Sequence, residues 1–250
     1  MNTETDRLEY NGTLGTYEFR GSQAIEAKIL QSKVQSIIGN IVMKCIQNKI
    51  DVRLSKDDAI LYEEDGSYCA GYFAGYYEKP EKNMLAFATG KPLNEWLPIA
   101  LHESCHMEQF LEKSEYWTNT MMDNGKDATD ILFSWINGEE ITYDVTDIAM
   151  RALYVELDCE RRTLEKIISY GLQDIIEPIE YTKRSNAYVY FYLYIVESRK
   201  WCERGRAPYS LDAIWTQAPD TFDNDYNVIP PKLLKAFREH LHPVQEIVDN

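Results

Sequence analysis

The chain has 250 residues, of which 44% are hydrophobic and 12% aromatic, so it can bury a sizeable core. Its formal net charge of −15 repels phosphate backbones, and we therefore expect no nucleic-acid partner. The five cysteines form no CxxC pair and are odd in number, which favours reduced thiols and a cytoplasmic location. The longest apolar-aromatic run, at 187–196, is too short to cross a bilayer, and residues 1–13 lack a signal-peptide core, so we expect no membrane partner.

The first part of the chain is predicted to combine a helix with several short strands. Apolar residues three and four apart predict a helix over 22–48, with Ser22 as its N-cap. The turn residues Pro80 and Asn83 join the last two strand-like segments into a hairpin over 68–89. The predicted strands are 51–54, 59–62, 68–77 and 84–89.

The rest of the chain is predicted to be mainly helical. Asn94 is expected to cap a helix that runs to about residue 113, with Pro98 near its first turn. Gly171 is expected to close the longest later helix. The later helices are predicted at 127–136, 142–170, 181–203 and 231–241, the last one stopped by Pro243.

This order of elements predicts an α+β chain. A helix comes first, a small antiparallel sheet follows, and helices make up the C-terminal half. We expect a single domain over residues 1–250, which can be subdivided into an α+β part at 1–113 and a helical part at 114–250.

The segment from Pro98 to Phe110, PIALHESCHMEQF, contains two of the chain's four histidines. On a helix His102 and His106 lie one turn apart on the same face, and two imidazoles satisfy half of a tetrahedral zinc site. Glu103 is rotated about 100° from His102, so it can act as a base without being a ligand. The alternative is two unrelated histidines on an exposed helix face, but the apolar residues around them indicate a largely buried helix.

A second cluster lies at 154–162, YVELDCERR. Glu156 and Glu160 are again four residues apart and share one helix face. The alternative is a solvated face on which they pair with the two arginines that follow. Cys159 lies between them and thiolates also bind zinc, whereas Cys105, inside the first motif, is expected to pack in the core.

The first motif resembles that of the HExxH zinc metallopeptidases, the zincins, and the second resembles the glutamate cluster of their gluzincin branch, the thermolysin type. The resemblance covers mainly 68–110 and 150–165. It implies a zincin-like fold, in which a small sheet or hairpin packs on the HExxH helix and one strand, within 70–76 or 84–89, binds an extended substrate. It also implies hydrolysis of a peptide or protein substrate by a water molecule that Glu103 activates on the metal.

The resemblance further implies the set of zinc ligands. His102 and His106 bind the metal, and Glu156 supplies the third ligand. Glu160 takes the place of the family's aspartate as the partner of a ligand histidine, although the roles of the two glutamates can be exchanged. We therefore count all four side chains as candidate zinc residues.

Two other functions fit parts of the same sequence. A di-iron or di-manganese carboxylate protein uses Glu-x-x-His pairs, and both Glu103-x-x-His106 and Glu239-x-x-His242 have that spacing. Such a site would leave His102 without a role, and a β hairpin does not belong to a four-helix bundle. A zincin-fold binding protein without hydrolytic activity is the other alternative.

Overall fold

The computed structural model describes residues 7–11, 16–20, 24–62, 66–122, 125–203 and 205–242. The chain is an α+β protein with a small sheet and a mainly helical second half, as predicted. It divides into two compact units, Met1–Glu112 and Lys113–Asn250. Within the described ranges, no helix is long and apolar enough to cross a membrane.

The first unit combines two long helices with short strands. The predicted helix over 22–48 and the predicted strands are confirmed with shifted ends, whereas the hairpin of the first two strands was not predicted. The expected cap Ser22 lies outside the described residues. The elements are β1 (Arg7–Asn11), β2 (Thr16–Arg20), α1 (Ala24–Gln47), β3 (Asp51–Ser55), β4 (Ile60–Leu61), β5 (Tyr68–Cys69), β6 (Gly71–Ala74), β7 (Met84–Ala88) and α2 (Leu93–Glu112).

The three-stranded sheet has the order β3-β7-β6. β6 pairs antiparallel with β7, with Gly71 opposite Phe87, and this confirms the predicted hairpin. β3 pairs parallel with β7, with Asp51 opposite Met84, so the expectation of a purely antiparallel sheet is wrong. Parallel neighbours need a long crossover, and residues 56–83 supply it. β6 is consequently an edge strand.

The start of α2 differs from the prediction. The helix begins at Leu93, and the carbonyl of Pro92 accepts hydrogen bonds from the amides of Glu95 and Trp96. Asn94 is therefore not the N-cap but an exposed residue of the first turn. Pro98 lies inside the helix, two positions further from its start than expected. Proline has no N–H, so it cannot donate a hydrogen bond to the carbonyl of Asn94, one turn earlier. Because Asn94 is exposed, the missing hydrogen bond lies on the solvent side of the helix.

α2 packs against β6 and β7 through its apolar side. The ring of Trp96 stacks on Phe87 with centroids 6.2 Å apart and an interplanar angle of 5°. Leu97 and Leu101 are fully buried with them, as is Cys105, which confirms the predicted core position of that thiol. The motif helix is therefore buried along one side and held on the sheet.

The second unit is built from helices. The predicted helices of this half are confirmed, whereas α3 and α7 were not predicted, and Pro243 lies outside the described residues. The elements are α3 (Glu115–Thr120), α4 (Ala128–Ile136), α5 (Val145–Ser169), α6 (Pro178–Ser198), α7 (Asp212–Trp215) and α8 (Pro231–His240).

The ends of α5 and α6 follow local rules of capping. The Oδ1 atom of Asp144 accepts a 2.7 Å hydrogen bond from the amide of Thr146, so α5 starts later than the sequence pattern suggested. Gly171 has a φ of 63° directly after the helix, and this confirms its predicted role at the C-terminus. Glu177 caps α6 through both of its carboxylate oxygens. The two helices pack against each other along their lengths.

Substitution by alanine should have opposite effects on stability at two glycines of the first unit. No atom lies within 4 Å of a Cβ at Gly39, which is exposed in α1, so Gly39→Ala should raise the free energy of unfolding. The expected gain is about 0.5–1 kcal/mol, because alanine is the better helix former. A Cβ at Gly90 would lie 2.6 Å from the carbonyl oxygen of Lys56, so Gly90→Ala should lower that free energy. Urea unfolding of both variants measures the contrast, and a Gly90→Ala variant as stable as the wild type would contradict it.

Candidate metal centre

The histidines of α2 are arranged as a chelating pair. Their Nε2 atoms lie 3.1 Å apart, and their rings are nearly perpendicular, at 86°, with centroids 4.7 Å apart. Zn–N bonds of about 2.0–2.1 Å in a tetrahedral site place two ligand nitrogens about 3.3 Å apart. His102 and His106 therefore present their nitrogens with nearly the spacing that one zinc ion requires.

A buried glutamine favours one tautomer of the second ring. The Nδ1 atom of His106 lies 2.8 Å from the Oε1 atom of Gln109, and the side chain of Gln109 is 0% exposed. An amide oxygen can only accept, so Nδ1 carries the proton and Nε2 of the neutral ring presents a lone pair. This is the tautomer that binds a metal through Nε2.

Gln109 was not predicted from the sequence as a residue of the site. The available signal was a glutamine three residues after the second histidine on the same helix. At that spacing the two side chains face each other on a helix.

Glu103 lies where the helix closely approaches the edge strand. A Cβ at Gly71 of β6 would stand 3.1 Å from the Cγ atom of Glu103 and 2.8 Å from Cγ2 of Ile99. Only a glycine permits so close an approach, which explains the glycine inside this strand. His102, Glu103 and His106 are all half-buried, so the alternative of an exposed helix face does not hold.

The acidic cluster of α5 is held by hydroxyl groups within the second unit. The Oε2 atom of Glu160 accepts a 2.6 Å hydrogen bond from Oγ of Ser185 and a second bond from the hydroxyl of Tyr181. Burial raises the pKa of Tyr181 well above its ordinary value, and the neighbouring carboxylate raises it further. That hydroxyl therefore stays protonated and can donate.

Glu156 also contacts a hydroxyl group of α6. It is half-buried, and its Oε1 atom lies 3.4 Å from the hydroxyl of Tyr192. That hydroxyl lies 3.0 Å from the hydroxyl of Tyr188. Burial raises the pKa of both tyrosines well above the ordinary range, so these groups too remain neutral. Cys159, between the two glutamates, is fully buried.

The arginines that follow the cluster bond elsewhere. Nε of Arg162 lies 2.8 Å from a carboxylate oxygen of Asp158, and Arg161 donates to the backbone carbonyl of Asp223. The interpretation of the glutamates as a solvated face paired with these arginines is therefore wrong for Glu160, which is only 7% exposed.

The second Glu-x-x-His motif does not form a helical pair. The side chain of Glu239 is 52% exposed and lies 3.7 Å from the ammonium group of Lys235. α8 ends at His240, so His242 falls beyond the helix, where its ring stacks on Tyr194. Burial lowers the pKa of His242. Two ligands of a di-metal carboxylate site would need to project from one helix face, and these two side chains do not.

Comparison of the chain with protein-family models, with curated proteins and with solved structures found no match. The interpretation of the site therefore depends on the geometry and chemistry of its own residues.

The contact between Gln109 and His106 can be tested by metal affinity. Gln109→Leu removes the acceptor that keeps the proton on Nδ1, so the dissociation constant for Zn²⁺ should rise about 10- to 100-fold. Gln109→Glu, which keeps an acceptor oxygen in place, is the matched control and should remain closer to the wild type. Titration against a competing zinc chelator measures both. Equal zinc affinity of Gln109→Leu and the wild type would remove the role given to this glutamine.

Proposed function

We propose that this chain is a zinc-dependent metallopeptidase that hydrolyses peptide bonds in a peptide or protein substrate. The observation that carries the proposal is the pair of Nε2 atoms 3.1 Å apart on α2. Gln109 supports it, because this residue keeps His106 in the tautomer of a ligand. Glu103 directly follows His102, which is the order in which the HExxH motif carries its base.

The proposal includes a zincin-like role for the first unit. When bound, zinc supplies a Lewis acid that lowers the pKa of water to about 7 and polarises a carbonyl group. Glu103 accepts a proton from the attacking water and later donates it to the leaving amine. The edge strand β6 offers its main chain to an extended substrate, and Gly71 keeps that strand against the helix beside the base.

A catalytic zinc site has three protein ligands, so one ligand is needed in addition to the two histidines. The proposal takes this ligand from α5, where the family resemblance assigns Glu156. Cys159 lies between the two glutamates on the same helix, and its thiolate is the competing donor because thiolates also bind zinc. We also propose a cytoplasmic location, because the odd cysteine number and the lack of CxxC pairs favour reduced thiols.

The role of the base can be separated from metal binding. Glu103→Gln should retain one zinc per chain but lower turnover by about 10²- to 10⁴-fold, because the amide cannot accept the proton. Glu108→Gln is the matched control on the same helix, where Glu108 instead pairs with Lys44 at 2.9 Å. Metal analysis and hydrolysis of a fluorescent peptide library provide the two readouts.

Undiminished hydrolysis by Glu103→Gln would refute its role as the base. A wild-type chain that binds zinc but cleaves no peptide would instead support a zincin-fold binding protein.

The ligand from α5 can be identified by spectroscopy. We expect one of the variants Glu156→Gln and Cys159→Ser to lose tightly bound zinc and the other to keep it. Substitution with Co²⁺ tells which group binds, since a thiolate ligand gives an intense charge-transfer absorption that a carboxylate lacks. Full zinc content in both variants would show that α5 supplies neither of these ligands.

A further inference from the structure

We infer that a cleft of the second unit binds an organic cation, the guanidinium group of an arginine side chain of a peptide or protein. The cleft has a volume of about 380 Å³, and sites for small ligands commonly measure about 300–1,000 Å³. Its lining residues all lie between Trp135 and Arg199, within the second unit. Binding there is therefore independent of the histidine pair and of the proposed function.

One wall of the cleft already holds a cation of this class. The guanidinium carbon of Arg199 lies 4.9 Å from the centroid of the Trp135 ring, and its Nε atom donates a 2.9 Å hydrogen bond to the backbone carbonyl of the same tryptophan. The face of tryptophan attracts cations more strongly than any other side-chain ring, and a planar guanidinium also stacks on it. The ring of Trp135 is therefore placed to accept a guanidinium group.

Arg199 can be displaced from this ring by an incoming group. It ends α6 with a φ of 50° and a ψ of 37°, in the left-handed region that is unfavourable for a residue with a side chain. The residue is exposed, so its guanidinium can move from the ring into water without being buried alone. We therefore treat Arg199 as an internal occupant that competes with the ligand.

The charges of the cleft favour a cation over an anion. Glu139 and Glu140 both line it and are exposed, and neither carboxylate forms an ion pair within the described part of the chain. The single positive charge of Arg199 leaves the cleft with a net negative charge, in a chain whose formal charge is −15. Such a potential attracts basic ligands.

The rest of the lining favours an organic cation over a metal ion. Tyr143 adds a second aromatic ring, and Ile141 and Val145 add apolar surface. Calcium and magnesium need six or more oxygen ligands, which two carboxylates beside aromatic and aliphatic walls do not supply. An arginine side chain matches both parts of the lining, because its guanidinium pairs with carboxylates in a fork and its stem and flat face pack on apolar and aromatic groups.

The test is an NMR titration of the full chain with acetyl-arginine amide, followed through the indole N–H signal of Trp135. Trp135→Phe assigns that signal. Acetyl-citrulline amide is the matched control ligand, since it has nearly the same shape without the charge. The arginine compound should bind one site per chain and shift the signal, with an affinity that falls as salt is added, and the citrulline compound should bind at least about 3-fold more weakly.

Variants of the cleft test the role of each charge. Glu139→Gln combined with Glu140→Gln should weaken binding of acetyl-arginine amide by about 3- to 10-fold. Glu165→Gln combined with Asp174→Asn is the matched control, because it removes two exposed carboxylates that do not line the cleft, and it should leave the affinity unchanged. Arg199→Gly removes the internal competitor and suits the left-handed backbone, so it should tighten binding.

Equal binding of the arginine and citrulline compounds would overturn the inference, and so would an unshifted Trp135 signal. Weaker binding by Arg199→Gly would also overturn it, because Arg199 would then help to hold the ligand instead of competing with it. The same titration of the chain without zinc should give the same affinity, so a failure of the proposed zinc site leaves this result unchanged.

Discussion

The packing of α2 on the sheet is the constraint from which the geometry of the histidine pair follows. The stacked rings of Trp96 and Phe87 and the buried leucines of the same face fix the rotation of the helix about its axis. Because that face of α2 packs in the core, His102 and His106 project from a different face of the helix, one turn apart. Across that turn their Nε2 atoms lie 3.1 Å apart.

Polar groups that are buried beside an apolar core need partners, and each unit supplies them from its own helices. In the first unit Gln109 satisfies the Nδ1 atom of His106 from the next turn of α2. In the second unit the hydroxyls of Tyr181 and Ser185 satisfy Glu160 from the neighbouring helix. An unsatisfied buried polar group costs about 1–3 kcal/mol, and more if it is charged, so these contacts stabilise the fold.

Small residues decide how closely the elements of the first unit approach. Gly71 lets β6 lie directly against the side chains of Ile99 and Glu103, and a single added carbon atom there would meet both. β6 is also the edge of its sheet. Glu103, the base of the proposed reaction, and β6, the strand proposed to bind substrate, are therefore neighbours because residue 71 has no side chain.

The sequence by itself determined the longer helices, the hairpin of β6 and β7 and the shared face of the two histidines, because these depend on periodicity, turn residues and helical spacing over a few residues. The tertiary structure alone decided the parallel pairing of β3 with β7. The two strands are separated by residues 56–83, and no local sequence pattern indicates the relative direction of strands that far apart. It also decided which polar residues hold the acidic cluster. Tyr181 and Ser185 lie more than twenty positions from Glu160, and only the packing of α5 on α6 brings them into contact.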